Sequence, residues 1–268
     1  MDVLITFDTD AVNQNNRHGN PSNPSFDYDD ELKWIADNVP VATIFTRIDY
    51  QVNLYNKVRS IMPHFEMAWH PHVYMPDLSP CKDEETISDM IVALHETYEI
   101  NMNCVRMGHA QGGNHIIKTL HDLGFRADSS ALPGRKSNDA GRFYDWERTG
   151  CRPYFPSRND YQVSGDDVYD ILEVPMTTIP MLASYDKAPV KRYVNPLIRP
   201  EVFQPALQNC GHLECLVVIF HPDELIEGHE DGLYLYGKET FTNNMKFVSE
   251  LFQNHKTLTM TEYEKKWR

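Results

Sequence analysis

Short apolar runs, each bounded by polar or turn-forming residues, recur along most of the chain. Runs of this length, rich in Val, Ile and Phe, are typical of buried β-strands. The clearest are DVLITF at 2–7, VATIFT at 41–46, FEMAW at 65–69, NCVRM at 103–107, ILEVPM at 171–176 and CLVVIF at 215–220. They predict the strands of a largely buried sheet.

Between these runs, apolar residues return with the spacing of an α-helix. Apolar stripes of this kind lie within 83–99, 114–123 and 241–252, and Gly124 is well placed to cap the second. Strands that alternate with helices favour a parallel sheet built from βαβ units. The segment 129–165 is rich in Gly, Pro, Asn and Arg, and it predicts a long loop or excursion.

The composition indicates a globular protein and excludes some partners. Of the 268 residues, 41% are hydrophobic, which is sufficient for a sizeable core, and we expect a single domain over 1–268. The formal net charge is −14. An acidic chain without a basic stripe repels phosphate backbones, so nucleic acid is not an expected partner.

The sequence predicts neither a membrane span nor an export signal. The longest apolar run, CLVVIF at 215–220, is too short to cross a bilayer. The start of the sequence, MDVLITFDTD, lacks the basic region and the long apolar core of a signal peptide. The five cysteines form no C-x-x-C pair, which argues against a thiolate zinc site. We therefore expect a cytoplasmic protein.

Polar side chains follow several of the predicted strands. The carboxyl ends of parallel strands share one edge of a sheet, so these side chains are expected to gather there. A single Asp or His after a strand is more often a cap or a structural residue. Carboxylates and imidazoles together, from separate strands, are instead typical of a zinc or related divalent-metal site. The candidates are Asp8 and Asp10 after the first run, His70 and His72 after the third, Arg106 at the end of the fourth with His109 beyond it, and His221 after the last.

The order and surroundings of these residues resemble the polysaccharide deacetylase superfamily (NodB-homology, carbohydrate esterase family 4-like) over nearly the whole chain. LITFDTD resembles its first motif, ATIFT the strand that follows, and FEMAWHPHVY the strand that carries metal histidines. CVRMGHAQGGNHIIKTLHDLGFRADSS is similar to its arginine motif with the next helix and strand. YDWERTG resembles the motif with an Asp-Trp pair, and LVVIFHPDEL the last motif. The resemblance, to a non-secreted branch, implies an α/β fold, a distorted (β/α)7-type barrel, and removal of an acyl group from a sugar.

The resemblance assigns catalytic roles to three residues. Asp8 matches the base that takes a proton from the attacking water, and Arg106 matches the arginine that orients this base. His221 matches the acid that protonates the leaving amine, a role that suits an imidazole near neutral pH. The implied enzyme is a metal-dependent carbohydrate N-deacetylase.

The resemblance also implies one divalent metal ion, with Zn²⁺ as the first expectation and Co²⁺ or Ni²⁺ as alternatives. Asp10, His70 and His72 are the predicted ligands. The family's first motif has adjacent aspartates, whereas Thr9 separates them here. The family's second metal histidine stands four residues after the first, where this chain has Tyr74, so His72 must replace it from the i+2 position.

The predicted substrate is an acylated sugar or sugar precursor, for example one in lipopolysaccharide or O-antigen biosynthesis. The residues expected to contact it are Trp69, Tyr74, His109, Asp145 and Trp146. Arginines of the segment 129–165 either bind a phosphate or carboxylate of the substrate or only solvate the loop. Two other functions stay open: a metal-free relative that binds carbohydrate or acts as a scaffold, and an amidase of a non-sugar substrate.

Overall fold

The computed structural model describes residues 1–9, 28–48, 52–74, 81–139, 142–210 and 213–268. Its β-strands are β1 (Asp2–Thr9), β2 (Thr43–Thr46), β3 (Glu66–Trp69), β4 (Cys104–Val105), β5 (Ala127–Asp128), β6 (Lys136–Asp139), β7 (Arg142–Asp145), β8 (Leu172–Glu173), β9 (Thr178–Met181), β10 (Val190–Tyr193), β11 (Cys215–Phe220) and β12 (Lys256–Thr257). Its α-helices are α1 (Asp29–Asn38), α2 (Val52–Ile61), α3 (Glu84–Thr97), α4 (Asn114–Asp122), α5 (Pro200–Leu207), α6 (Lys238–Leu251) and α7 (Met260–Trp267).

One parallel sheet organises the described part of the chain. Its strands follow the order β11–β1–β2–β3–β4–β5–β8, and β12 pairs with the first residues of β1. The helices α1 to α4 connect successive strands from β1 to β5, as in βαβ units. The two end strands, β8 and β11, do not pair with each other within the described ranges, so the barrel is open on that side. The arrangement confirms the predicted distorted (β/α)7-type barrel.

The two longest strands of this sheet, β1 and β11, are neighbours. They pair in parallel from Asp2–Cys215 to Phe7–Phe220, and all their residues are buried. A strand that is covered on both faces reads as a nearly continuous apolar run, which is why both are conspicuous in the sequence. The outer edge of β11 is covered by the chain around Val194, whose carbonyl accepts a hydrogen bond from the Ile219 amide at 2.9 Å.

Three predicted helices are confirmed. α3 and α4 lie within the predicted ranges 83–99 and 114–123, and α6 covers most of the third apolar stripe. Gly124 follows α4 with φ +90°, a left-handed value that glycine adopts without strain. None of the helices in the described ranges is long and apolar enough to cross a membrane.

The segment 129–165 differs from the predicted long loop, because it contains the antiparallel hairpin β6–β7. The two strands, KSND and RFYD, are short and show little apolar alternation, so the pattern does not reveal them. The hairpin is anchored at its base by Trp146, which is fully buried. The indole nitrogen of Trp146 donates to the Ala110 carbonyl at 2.8 Å, which ties the hairpin to the chain after β4.

Candidate active site

The carboxyl ends of four strands bring four of the predicted residues together. Asp8 lies near the end of β1, and His70, Arg106 and His221 directly follow β3, β4 and β11. The backbone amides of His70 and Arg106 each still donate to the neighbouring strand, at 2.9 Å, so the sheet fixes their positions. All four residues line one cavity of about 480 Å³, a volume within the range of ligand pockets.

Asp8 and Arg106 form a buried ion pair at the bottom of this cavity. Arg106 Nη1 lies 2.7 Å from Asp8 Oδ1, and both side chains are at least nine-tenths buried. The other guanidinium nitrogens donate to the carbonyl and hydroxyl oxygens of Ser129 and to the hydroxyl of Thr6, each at 3.0 Å. The guanidinium carbon lies 4.0 Å from the centre of the Phe45 ring. A guanidinium held in this way stabilises the ionised form of Asp8.

His70 and His72 point their Nε2 atoms at each other. The two atoms are 3.1 Å apart, and His70 Nε2 is 3.8 Å from Asp8 Oδ2. His70 Nδ1 lies 2.7 Å from the carbonyl oxygen of Arg106, which can only accept, so Nδ1 carries the proton and Nε2 presents a lone pair. A backbone carbonyl in this position is the usual outer partner of a metal-binding histidine.

Tyr74 supports His72 from the other side. The Tyr74 hydroxyl lies 3.0 Å from His72 Nδ1 and 3.1 Å from His109 Nε2. His109 has φ +58°, an uncommon conformation for a non-glycine residue. Gly108 leaves room for the His72 ring, since a Cβ on residue 108 would lie 2.3 Å from it. Tyr74, which occupies the position of the family's second histidine, thus acts as an outer partner of His72.

These donors fit a divalent metal as far as the structure describes them. His70 Nε2 and His72 Nε2 are 3.1 Å apart, close enough to share one hydrogen bond or to bind one ion together. The third predicted ligand, Asp10, lies outside the described residues. Within the described ranges, no group of three or more His, Cys, Asp or Glu residues is arranged to hold a metal.

His221 is paired with Glu224, which the sequence reasoning did not single out. His221 Nδ1 lies 3.6 Å from Glu224 Oε1, and the His221 amide donates to Glu224 Oε2 at 2.9 Å. Asn195 Nδ2 donates to both oxygens of Glu224. Burial opposes a charged imidazole, but Glu224 and then Asp8 outweigh it and raise the pKa of His221 to about 10. The i, i+3 spacing of His221 and Glu224 was the available sequence signal.

Asp128 and Glu173 form a buried pair of acids next to the chain beside Arg106. This pair was not identified from the sequence either. Burial raises the pKa of Asp128 to about 6, and burial together with the charge of Asp128 raises the pKa of Glu173 well above its usual value. Asp128 Oδ2 and Glu173 Oε2 receive no hydrogen bond from a donor in the described residues, which fits a proton shared between the two carboxyl groups. Their other oxygens accept from the Ser130 hydroxyl and the Ala131 amide, in the chain beside Arg106. The available sequence signal for this pair was a Glu within the otherwise apolar run ILEVPM.

The residues predicted to contact substrate lie in different places. His109 lines the cavity, whereas Tyr74 contacts two residues that line it, His72 and His109. Trp69 is buried and stacks on Phe125, and Trp146 is buried at the base of the β6–β7 hairpin. Asp145 pairs with Lys136 on that hairpin. The structure does not bring Trp69, Asp145 or Trp146 to the wall of the cavity; Trp146 instead holds the hairpin that borders it.

Aromatic and charged side chains form the remaining wall. The segment around β10 and the loop that follows Pro222–Leu225 supply most of them. Those that line the cavity include Arg135, Tyr144, Tyr185, Arg192, Tyr193, Asp231, Tyr234 and Tyr236. Tyrosine rings of this kind offer flat apolar surface with a polar tip, which suits a sugar ring.

Comparison with known proteins places this site in a known fold. No protein-family profile and no curated protein matches the sequence. Among solved structures, a candidate polysaccharide deacetylase from Mycobacterium smegmatis superposes with a TM-score of 0.52 at 18% identity, covering 98% of this chain and 89% of that one. A candidate polysaccharide deacetylase involved in O-antigen biosynthesis from Bordetella bronchiseptica gives a TM-score of 0.44 at 13% identity, covering 91% and 88%. A family 4 carbohydrate esterase pseudoenzyme from Bacillus anthracis gives 0.44 at 10% identity, covering 98% and 66%. The chain therefore has the NodB-homology fold of the polysaccharide deacetylases, the superfamily that its motifs resemble.

Proposed function

We propose that the protein is a metal-dependent deacetylase that hydrolyses the N-acyl amide of a sugar or sugar precursor. The observation that carries the proposal is the meeting of three groups in one cavity: the Asp8–Arg106 ion pair, the two facing Nε2 atoms of His70 and His72, and the cationic His221. Amide hydrolysis needs a base for water, an electrophile for the carbonyl oxygen and an acid for the leaving nitrogen.

Asp8 is the base in this proposal. Arg106 occupies Asp8 Oδ1 at 2.7 Å, which fixes the carboxylate and keeps it ionised. Asp8 Oδ2 lies 3.8 Å from His70 Nε2 and therefore faces the proposed ligands. We assign Oδ2 as the atom that accepts a proton from the attacking water.

Asp10, His70 and His72 would hold the divalent ion, with Zn²⁺ preferred and Co²⁺ or Ni²⁺ as alternatives. The ion supplies Lewis-acid polarisation of the acyl carbonyl and of the water. The chain's own contribution is to orient the two imidazoles. The Arg106 carbonyl fixes the tautomer of His70, and the Tyr74 hydroxyl holds His72.

His221 is the acid. Glu224 and Asp8 keep its imidazole protonated at neutral pH, so it can donate a proton to the leaving nitrogen as the C–N bond breaks. The water oxygen ends in the released carboxylic acid, the water proton is taken by Asp8, and the His221 proton leaves with the amine. The placement of the substrate in lipopolysaccharide or O-antigen biosynthesis, and in the cytoplasm, stays a prediction from the sequence.

The test is release of acetate or formate and of free amine from N-acylated sugars by the zinc-loaded protein. Asp8→Asn and His221→Ala should each lower turnover about 10²- to 10⁴-fold, the usual contribution of one acid or base. Glu227→Gln removes a charge from an exposed position six residues after His221 in the chain and should leave turnover unchanged. Full turnover in Asp8→Asn, or no release of acyl group by the wild type, would refute the proposal.

A second candidate is a non-catalytic carbohydrate-binding protein with the same fold. It is favoured by Tyr74, which stands in the sequence where the family has its second metal histidine. Such a protein would bind acylated sugars without added metal and release no acyl group when zinc is supplied. The same assay, with sugar binding measured beside turnover, separates the two candidates.

A further inference from the structure

Three arginines line the cavity, and they differ in whether a carboxylate neutralises them. Arg106 donates to Asp8 at 2.7 Å, and Arg192 binds both oxygens of Asp186 at 2.9 and 3.0 Å. Arg135 has no carboxylate within 4.0 Å among the described residues. The chain has 39 acidic residues against 25 Lys and Arg, so potential partners for an arginine are abundant. Among the described residues, Arg135 is therefore the cavity arginine whose charge has no carboxylate beside it.

The other arginines of the segment 129–165 do not share this situation. Those with described side chains are paired away from the cavity, in the ion pairs Arg148–Asp160, Arg152–Glu214 and Arg158–Asp167. These three solvate or brace the segment. Of the described arginine side chains in this segment, that of Arg135 alone lines the cavity. Of the two roles predicted for these arginines, binding of a substrate anion therefore suits Arg135, and solvation of the loop suits the other three.

The backbone around Arg135 is fixed before any ligand arrives. The Arg135 amide donates to the Leu132 carbonyl at 3.1 Å, and the Arg135 carbonyl accepts from the Trp146 amide at 2.8 Å. Gly134 takes φ +69° there and donates to the Trp146 carbonyl at 2.8 Å. The guanidinium carbon lies 5.9 Å from the centre of the Tyr144 ring, another residue of the cavity wall. Such support reduces the entropy that the arginine loses on binding.

A second positive charge lies beside this backbone. A Cβ on residue 134 would lie 2.1 Å from Lys191 Nζ, so the ammonium group packs directly against Gly134. Lys191 also has no carboxylate within 4.0 Å in the described ranges. Arg135 and Lys191 therefore place two positive charges beside Gly134, although the protein as a whole is acidic.

We propose that Arg135 forms a subsite for an anionic group of the substrate, a carboxylate or a phosphate carried by the acylated sugar. This inference rests on the proposed function, because it takes the cavity to be the sugar site. The planar guanidinium offers paired N–H donors that match the oxygens of either anion. A neutral sugar would leave this cation without a partner, so the arginine favours the charged substrate over its uncharged counterpart.

The test measures binding of three ligands that contain no amide, so that turnover cannot interfere. Glucuronic acid, glucose 1-phosphate and glucose are titrated into the full-length protein at constant ionic strength, with affinity read from NMR shifts. The wild type should bind at least one anion more tightly than glucose, and the preferred anion identifies the group as carboxylate or phosphate. Arg135→Gln should weaken that anion about 10- to 100-fold, the range for a hydrogen bond to a charged group, and leave glucose unchanged.

Two further variants make the result decisive. Arg152→Gln removes the same charge from an exposed ion pair of the same segment and should bind all three ligands as the wild type does. Arg135→Lys keeps the charge without the paired donors and should recover part of the lost affinity. Equal binding of anions and glucose by the wild type, or equal losses in Arg135→Gln and Arg152→Gln, would overturn the proposal. If anions bind through Arg135 but no acylated sugar is hydrolysed, the subsite stands and the deacetylase proposal fails.

Discussion

Replacing Glu224 with Gln removes the charge that keeps His221 protonated, together with one of the two oxygens that accept from Asn195 Nδ2. The glutamine keeps the size of the side chain and an oxygen for the His221 amide, which donates to Glu224 at 2.9 Å. What it removes is the negative charge 3.6 Å from His221 Nδ1. Both side chains are shielded, with 18% of His221 and 8% of Glu224 exposed, so solvent screens the pair only in part.

The expected size of the effect follows from this distance. Two unit charges 3.6 Å apart interact by about 4 to 5 kcal/mol at an effective dielectric constant of roughly 20. That energy corresponds to a roughly thousand-fold loss of proton affinity at His221. Since burial alone lowers the pKa of His221, the variant should lose the elevation to about 10 that Glu224 and Asp8 maintain.

The same charge makes stability depend on pH. The pKa of His221 is raised in the folded protein from its ordinary 6.5 to about 10, so its contribution to stability is complete below pH 6.5 and is lost as pH rises through 10. This contribution is at most about 5 kcal/mol. The difference in free energy of unfolding between wild type and Glu224→Gln should therefore shrink as pH rises from 6.5 to 10.

The assay is an NMR titration of the His221 imidazole in chelator-treated protein, with urea unfolding at several pH values beside it. Glu227→Gln serves as the control, since it removes one charge from an exposed residue of the same loop. The control should titrate as the wild type does. If both variants move the His221 titration by the same small amount, the charge of Glu224 does not hold the proton and our account of the acid is wrong.

Substitutions at three further residues test other parts of the site. His72→Ala should abolish stoichiometric zinc binding, measured by mass spectrometry of protein purified without chelators; zinc retained in the variant would remove His72 from the ligand set. Tyr74→Phe removes the hydroxyl 3.0 Å from His72 Nδ1 and should weaken zinc affinity about 10-fold or more, as measured by competition with a chromophoric chelator. Glu173→Gln supplies an amide donor in place of the proton shared with Asp128, so the free energy of unfolding at pH 7 should stay within about 1 kcal/mol of the wild-type value. Glu173→Ala removes the donor and the side chain, and should lower this free energy by about 2 to 4 kcal/mol. Similar losses in both variants would contradict the shared proton.

The sequence predicted the sheet better than its surroundings. β1 and β11 are buried on both faces, and such strands stand out as apolar runs in any window. α1 and α2 were not predicted, because their apolar stripes are short and interrupted by polar residues. β5 does not stand out as an apolar run, because it contains only two residues. The β6–β7 hairpin was missed because it is stabilised by contacts distant in sequence, through Trp146, and not by its own pattern.

At the site, the sequence located the residues at strand ends and missed their partners. Asp8, His70, Arg106 and His221 follow apolar runs, and parallel topology brings such positions together whatever lies between them. The role of Arg135 could not be read in this way, because its distinguishing feature is the absence of a partner among the described residues. That feature becomes visible only when the described carboxylates have positions in space.

The arrangement of charges would let the proposed base, Asp8, and the proposed acid, His221, hold opposite protonation states at the same pH. In the proposed mechanism, Asp8 must be ionised while His221 is protonated. If both groups had their ordinary pKa values, these two conditions would hold together only across a narrow range of pH. Here Asp8 lies against Arg106, and the charges of Asp8 and Glu224 both favour the cationic His221. Each charge stabilises its neighbour of opposite sign, so the productive state is also the electrostatically favoured one. Loss of Glu224 should therefore narrow the pH range of activity from the alkaline side.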